Sequence, residues 1–261
     1  MIDEKSRQEE FPWERSKFHT DYNAVLGHYK VVSCLEHARG NSLLDLACGD
    51  GLMTAMFSER FERVVGVDAS SKHVEEARKR VPSAQFHDSL IEDFQSDEKF
   101  DTVLLLDILE HVVDPIAVLR KAASFLSKAG VLIAHVPNAN AINRRLAVLM
   151  GTLTSCHELS PFDLQIAGHR RSYELHTLVA DLQAAGLKVG DTGGIFYKMM
   201  STAQIDWFLK NGLWEEGGFG WGRVGAEKSK DWKQEFCRAS YELGKQQPTD
   251  CNIVFACASL A

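Results

Sequence analysis

Three acids and two glycines near the start of the chain carry the most chemistry. LLDLACGDG, Leu43 to Gly51, sets Asp45 among apolar residues and then holds Asp50 inside a Gly-x-Gly turn. Asp68 ends a second apolar stretch, RVVGVDAS, 19 positions after Gly49. Glycines at such a turn let the backbone approach a ligand closely and enter a helix tightly. A dinucleotide fingerprint would carry a third glycine, and Thr54 stands there instead. Charge is the stronger argument. A pyrophosphate beside Asp45 and Asp50 would be repelled, whereas a ligand with a cationic amine and a cationic sulfonium would be attracted. S-adenosylmethionine carries both and has no phosphate, so the acids favour it over NAD. Asp68 is spaced to accept both ribose hydroxyls, a role an NAD site shares.

Histidines are the natural general bases because they titrate near neutrality. His111 is expected at the start of the helix after the fourth strand, where capping or packing is the alternative role. His135 lies inside a strand and reads as a satisfied core histidine. His169, within GHRR, follows a long insertion and would face the substrate cleft if that insertion forms a lid. Arg170 and Arg171 could bind a substrate carboxylate or phosphate, or simply open a solvated helix. The six cysteines form no CxxC pair, so zinc has no support, and buried free thiols in a reducing cytoplasm are expected. No acidic cluster resembles a magnesium site, and no metal is expected.

Alternating strands and helices must position these groups. SLLDLA (42–47), RVVGVDAS (63–70), SAQFHD (83–88), FDTVLLLD (100–107) and VLIAHV (131–136) read as five strands. Helices are expected over 51–61 and 72–81. A further helix is capped by Asp114, opens on Pro115 and stops at Gly130, with Ile116, Leu119, Ala123 and Leu126 on one face. Another amphipathic helix carries Leu175, Leu178, Val179, Leu182 and Ala185, and two final strands follow at LKVGDTGG and CNIVFACASL. Repeated strand–helix units predict an α/β fold, a parallel sheet with helices on both faces. Ligands then bind at the carboxyl ends of the strands. Tyr22, His28 and Tyr29 sit on an N-terminal helix within a cap over 1–38. Segments 138–171 and 199–250 read as insertions forming a lid or substrate region. The second carries Trp207, Trp214, Trp221 and Trp232, which could line an aromatic pocket or pack in a core or subunit contact, and a glycine-rich piece over 215–225 expected to be a loop.

The chain has 261 residues, 45% hydrophobic and 25% charged, as one globular domain with lid insertions would. A formal net charge of −7 disfavours a general nucleic-acid binder. The N-terminal stretch lacks a signal-peptide core, and no apolar run reaches the ~20 residues of a membrane span. A cytoplasmic protein acting on a small molecule is the expectation, and the tryptophans leave room for a homo-oligomer.

LLDLACGDG, VVGVDAS and FDTVLLLDILEHVVDP, followed by SKAGVLIAHVPN and GHRRSYELHTLVADLQAAGL, resemble the successive motifs of class I S-adenosylmethionine-dependent methyltransferases. The ubiquinone-biosynthesis and small-molecule branch is the most similar. The resemblance covers about residues 40 to 190. It implies a Rossmann-like seven-stranded sheet with an antiparallel last strand, and O- or N-methylation of a small acceptor in biosynthesis or tailoring. It also implies Asp45, Ala47, Gly49 and Gly51 around the amino-acid part of the cofactor. Asp68 would hold the ribose with Ala69 beside the adenine, and Leu106 and Asp107 would border the methionine moiety. Tyr29 would contact the cofactor from a closing helix. After the third strand either Asp88 meets the adenine or, in the favoured register, Leu90 and Ile91 do. A protein or nucleic-acid methyltransferase, and a cofactor-binding scaffold without catalysis, are the alternatives. LDIL stands where the first would often carry an Asn/Asp-Pro-Pro-aromatic motif.

Overall fold

A computed structural model describes residues 4–11, 20–214 and 231–261. One seven-stranded sheet organises them, in the order β3-β2-β1-β4-β5-β7-β6. Its strands are β1 (Ser42–Leu46), β2 (Arg63–Asp68), β3 (Gln85–Asp88), β4 (Phe100–Leu106), β5 (Leu126–Pro137), β6 (Leu187–Ile195) and β7 (Ile253–Leu260). The first five pair in parallel, and β7 runs antiparallel between β5 and β6. Chain order reverses between β1 and β4, which opens a crevice at their carboxyl ends. Asp45, Asp68 and Asp107 all lie at or near that edge.

Each strand sends alternate residues to opposite faces. Leu44, Val65, Val103 and Leu132 join one core with Leu119 of helix α5 (Pro115–Ser124) and Leu178 of α7 (Leu175–Ala184). Leu43, Val64, Leu104 and Ile133 join the other. That second face is covered by α2 (Asp21–His37), α8 (Thr202–Asn211) and α9 (Trp232–Gln246), through Leu26, Ile205 and Tyr241 among others. The segment expected to be an insertion over 199–250 therefore supplies two helices that complete the sheet's second layer. Trp214 packs on this layer against Phe208 and Phe236, while Trp207 is exposed. Trp221 and the glycine-rich piece lie outside the described residues. Helix α1 (Glu4–Glu10) lies before α2, α3 (Leu52–Phe57) and α4 (Ser71–Arg80) follow β1 and β2, and α6 (Ile142–Leu149) with a π-helical turn (Asp163–Ala167) fills 138–171.

Two boundaries differ from the sequence expectation. Asp114 does cap α5, its carboxylate accepting the Ala117 N–H at 3.0 Å, but the helix stops at Ser124 rather than at Gly130. Leu126 and Gly130 belong to β5; Leu126 is buried there as it would be on the expected helical face, so burial periodicity did not separate the two. Helix α3 ends at Phe57, four residues before the expected limit of 61.

Glycine is required at one central position. Gly66 lies in β2 between two paired strands, and a Cβ built there would stand 2.5 Å from the Phe86 ring and 2.9 Å from Cys48 Sγ. Gly66→Ala is expected to cost about 1–3 kcal/mol of stability through overpacking, read as a lower midpoint in urea unfolding without loss of cooperativity.

Candidate active site

The β1–α3 turn is built on left-handed backbone. Ala47 has φ 66°, Gly49 φ 56° and Gly51 φ 73°. The Ala47 and Cys48 N–H groups donate to the Val67 carbonyl at 2.7 and 3.0 Å, binding the turn to the end of β2. Asp68 completes the tie: Oδ2 accepts the Gly49 N–H and Oδ1 the Ser70 N–H, each at 2.9 Å. Each oxygen keeps lone-pair capacity for a further donor. Space beside Gly49 is open, with nothing within 4 Å of where a Cβ would stand.

These turns wall a cavity of about 220 Å³. Ala47, Gly49, Asp68, Ala69, Leu90, Ile91 and Asp107, all expected at a cofactor, line it, as does His111. Leu90 and Ile91 are the favoured register after β3; Asp88 instead pairs with Lys5 at 2.9 Å. Glu4 and Gln8 of α1 close one side.

Four residues expected at the cofactor stand behind the cavity wall. Asp45 is 3% exposed and accepts the Thr54 hydroxyl at 2.6 Å, which pins α3 to β1. Burial pushes its carboxyl up to about 6, with the Thr54 bond acting the other way. Gly51 opens α3 where a Cβ would press Ala77 at 3.0 Å. Leu106 is buried in the second core. Tyr29 stacks on Tyr241 with ring centroids 4.6 Å apart, because α2 turns that face toward α9. None of the four is among the described residues lining the cavity. Asp50 pairs with Arg80 at 2.7 Å.

A second cavity, of about 870 Å³, lies alongside. Its wall includes Tyr22 and Lys30 of α2, Arg144, Asp163 and His169 of the 138–171 segment, and Lys198. Asp107 and His111 line both cavities. Asp107 has φ 53°, an uncommon backbone state for a non-glycine residue. Its Oδ2 pairs with Lys30 Nζ, and its buried Oδ1 has no hydrogen-bond partner. Glu110 is 2% exposed with both carboxylate oxygens unpartnered. Burial, then the charge of Asp107, holds its carboxyl well above the usual range.

His111 lies in the turn between β4 and α5, not at a helix start. Its Nδ1 is 3.4 Å from the Gly168 carbonyl, and its ring meets His169 edge to face, with centroids 4.9 Å apart. Burial and then His169 bring His111 down to about 4. Burial also lowers His169, with Asp163 acting the other way. The His169 Nδ1 is 3.7 Å from Asp163 Oδ1, and Ser160 fixes the other Asp163 oxygen through its N–H and hydroxyl, each at 2.8 Å. Glu110, His111 and His169 each bring one possible metal-ligand atom within 4.8 Å of the others. This donor set, and Asp163, escaped sequence reasoning because 58 positions separate His111 from His169.

Arg170 and Arg171 are engaged within the protein. Arg170 holds Glu4 and the His111 carbonyl, and Arg171 donates to the carbonyls of Leu109, Val112 and Val113. Together they fix the turn that carries His111. His135 is fully buried, its Nε2 3.5 Å from Cys34 Sγ, and burial brings it down to about 3. All six cysteines are free, five of them buried.

A sheet of this topology, with a glycine turn after β1 and an acid ending β2, defines a Rossmann-like methyltransferase fold. Residues 24–191 match the profile described as "Methyltransferase domain". The chain belongs to this family, that of the class I S-adenosylmethionine-dependent methyltransferases. Among curated relatives, the ubiquinone biosynthesis O-methyltransferase of Rhodopseudomonas palustris (strain TIE-1) is 29% identical over 124 residues, 46% of this chain and 48% of that one. The chain thus spans about half the length of the curated relatives it matches. The N-methyltransferase NodS from Bradyrhizobium japonicum WM9, solved with S-adenosyl-L-homocysteine, is 10% identical over 98% of this chain and 96% of its own, with TM-score 0.54. The [4+2]-cyclase SpnF is 15% identical over 92% and 82%, with TM-score 0.55. At these identities the structures share the fold alone.

Lys30 and Asp107 are 11% and 25% exposed, so removing one partner strands a charge in the crevice. Lys30→Met is expected to lower stability by roughly 2–3 kcal/mol, and Lys30→Met with Asp107→Asn to recover at least half of that in the same denaturation assay.

Proposed function

We propose that this protein transfers the methyl group of S-adenosylmethionine to a small-molecule acceptor, with the cofactor in the smaller cavity and the acceptor in the larger. The observation that carries this reading is the pair of cavities meeting at Asp107 and His111. The residues fit the cofactor. Asp68 keeps acceptor capacity for ribose hydroxyls, the space at Gly49 admits a ligand against the backbone, and the unpartnered Asp107 Oδ1 suits a cationic amine. When bound, the cofactor supplies an already activated methyl on a sulfonium, so the protein has mainly to position the acceptor.

Within this reading His169 is the base that takes a proton from the acceptor. Asp163 steadies its Nδ1 side, leaving Nε2 to face the acceptor, and His111, the weaker base, completes the wall between the cavities. A long apo contact such as 3.7 Å is compatible with this, since such bonds tighten on ligand binding. The O-methyltransferase relatives support an oxygen acceptor. Helices α1 and α2 and the 138–171 segment act as lids: α1 is fastened across the smaller cavity by Glu4–Arg170 and Lys5–Asp88.

A screen of phenolic, amine and sugar acceptors with methyl-labelled cofactor tests the reaction, and no transfer to any small molecule alongside labelling of protein or nucleic acid would overturn it. Asp68→Ala is expected to weaken cofactor binding by about 2–3 kcal/mol in calorimetry, the loss of two hydrogen bonds to a charged group, in a protein that still folds. His169→Ala is expected to lower turnover ~10²-fold with cofactor affinity intact. A base must be neutral to act, and His169 is shifted below its ordinary value of about 6.5. Turnover of the intact enzyme is therefore expected to fall in acid at a lower pH than an ordinary histidine base would give, and this limb disappears in His169→Ala.

A further inference from the structure

Lys198 lies between β6 and α8 in the wall of the larger cavity and is 7% exposed. Lysine is rarely buried so far without a charged partner. Its Nζ donates to the Thr202 hydroxyl at 2.7 Å and sits 4.5 Å from the centre of the Tyr22 ring. Among the described residues no carboxylate pairs with it. The nearest acid in influence is Asp206, one turn into α8, but its Oδ1 accepts the Tyr22 N–H at 2.8 Å in the first turn of α2. That helix end already favours the Asp206 charge. The other lysine and arginine of the cavity wall are neutralised: Lys30 by Asp107 and Arg144 by Asp163. Lys198 is thus a cation without a counter-ion, in a cavity built to be filled.

The local chemistry is donor-rich. An ammonium has three N–H donors, and the contacts described engage two directions, one on Thr202 and one over the Tyr22 ring. Thr202, accepting from Lys198, still has its own hydroxyl proton to give. The Tyr22 hydroxyl is buried without a partner. Burial brings Lys198 down to about 8, with Asp206 acting the other way, so the ammonium form still prevails at neutral pH. The chain leaves β6 through Phe196 at φ 64°, a constrained turn that delivers Lys198 inward.

Resting on the two-cavity reading above, we propose that Lys198 and Thr202 form an anion subsite, so that the methyl acceptor carries a carboxylate or phosphate seated at the Lys198 end of the larger cavity while the methyl-accepting atom lies at the Asp107–His111 junction. Lys198 is then a specificity-determining residue. It supplies the counter-charge that Lys30 and Arg144, already paired with Asp107 and Asp163, do not offer an incoming anion.

Calorimetry on the full chain saturated with S-adenosyl-L-homocysteine tests this with matched probes: 3-phenylpropanoate against 3-phenylpropanamide, and 3-phenylpropyl phosphate against 3-phenylpropanol. The wild type is expected to bind at least one anion 10-fold or more tightly than its neutral partner, and the two pairs show which anion is preferred. Lys198→Met should erase that ratio and Lys198→Arg retain it. Thr202→Val, which removes only the hydroxyl, should reduce it severalfold. Equal binding within both pairs, absence of binding by both anions, or an undiminished ratio in a Lys198→Met protein that still takes up S-adenosyl-L-homocysteine would overturn the subsite. Failure of the wild type to bind S-adenosyl-L-homocysteine would instead count against the two-cavity reading itself.

Discussion

The crevice depends on one residue held in an unfavourable backbone state. Asp107 leaves β4 at φ 53°, which turns its carboxylate away from the strand direction and into the space between two cavities. For a residue other than glycine such a state costs of order 1–3 kcal/mol and persists only where surrounding structure enforces it. Two contacts enforce it here. The Asp107 N–H donates to the His135 carbonyl of β5 at 2.9 Å, and the carboxylate takes Lys30 from α2. The ion pair therefore joins the sheet edge to the helix layer on its second face. Had the chain continued as regular strand, the turn carrying Glu110 and His111 would start in a different direction.

Burial around this point sets the protonation of its neighbours. Asp107 stays paired with a cation, so the next acid, Glu110, is driven toward its neutral form by desolvation and by the charge already present. The same desolvation holds His111 and His169 toward neutral imidazole. A crevice with one ion pair, a carboxyl pushed toward its neutral form and two imidazoles held the same way can take up a positively charged sulfonium ligand on one side without facing unpaired cations. Lys198, the cation without an acidic partner, stands in the wall of the other cavity.

The cofactor half of this arrangement was legible because it is contiguous. Gly49 and Asp68 each lie within a few residues of a strand end at a telling spacing, and the Leu90–Ile91 register followed from the family resemblance. What stayed hidden there is orientation: a motif shows which residues sit near a turn but not which way each faces. Asp45 and Gly51 belong to the same motif as Ala47 and Gly49, yet they support the turn from behind. The stacking of Tyr29 was hidden for a longer-range reason, since its partner Tyr241 is more than 200 positions away. His169 was reachable as a histidine after a long connection, but Asp163 was not, because nothing in the local sequence marks a carboxylate whose neighbours are a serine three positions earlier and an arginine from α6.

The larger cavity was illegible for a structural reason that also bears on its chemistry. Its wall is assembled from α2, the 138–171 segment and the chain entering α8, and α2 and α8 are simultaneously the cover of the second core. Tyr22 shows the double duty: it is 1% exposed, meets Phe196 edge to face at 5.5 Å, and lies under Lys198. Asp206 likewise anchors the start of α2 while leaving Lys198 without a carboxylate partner. The cavity's charge is thus fixed by contacts that also pack the helices. Altering the larger cavity's charge means altering side chains that hold α2 against α8, whereas the turns after β1 and β2, tied by backbone N–H groups to the Val67 carbonyl and the Asp68 carboxylate, are insulated from such changes.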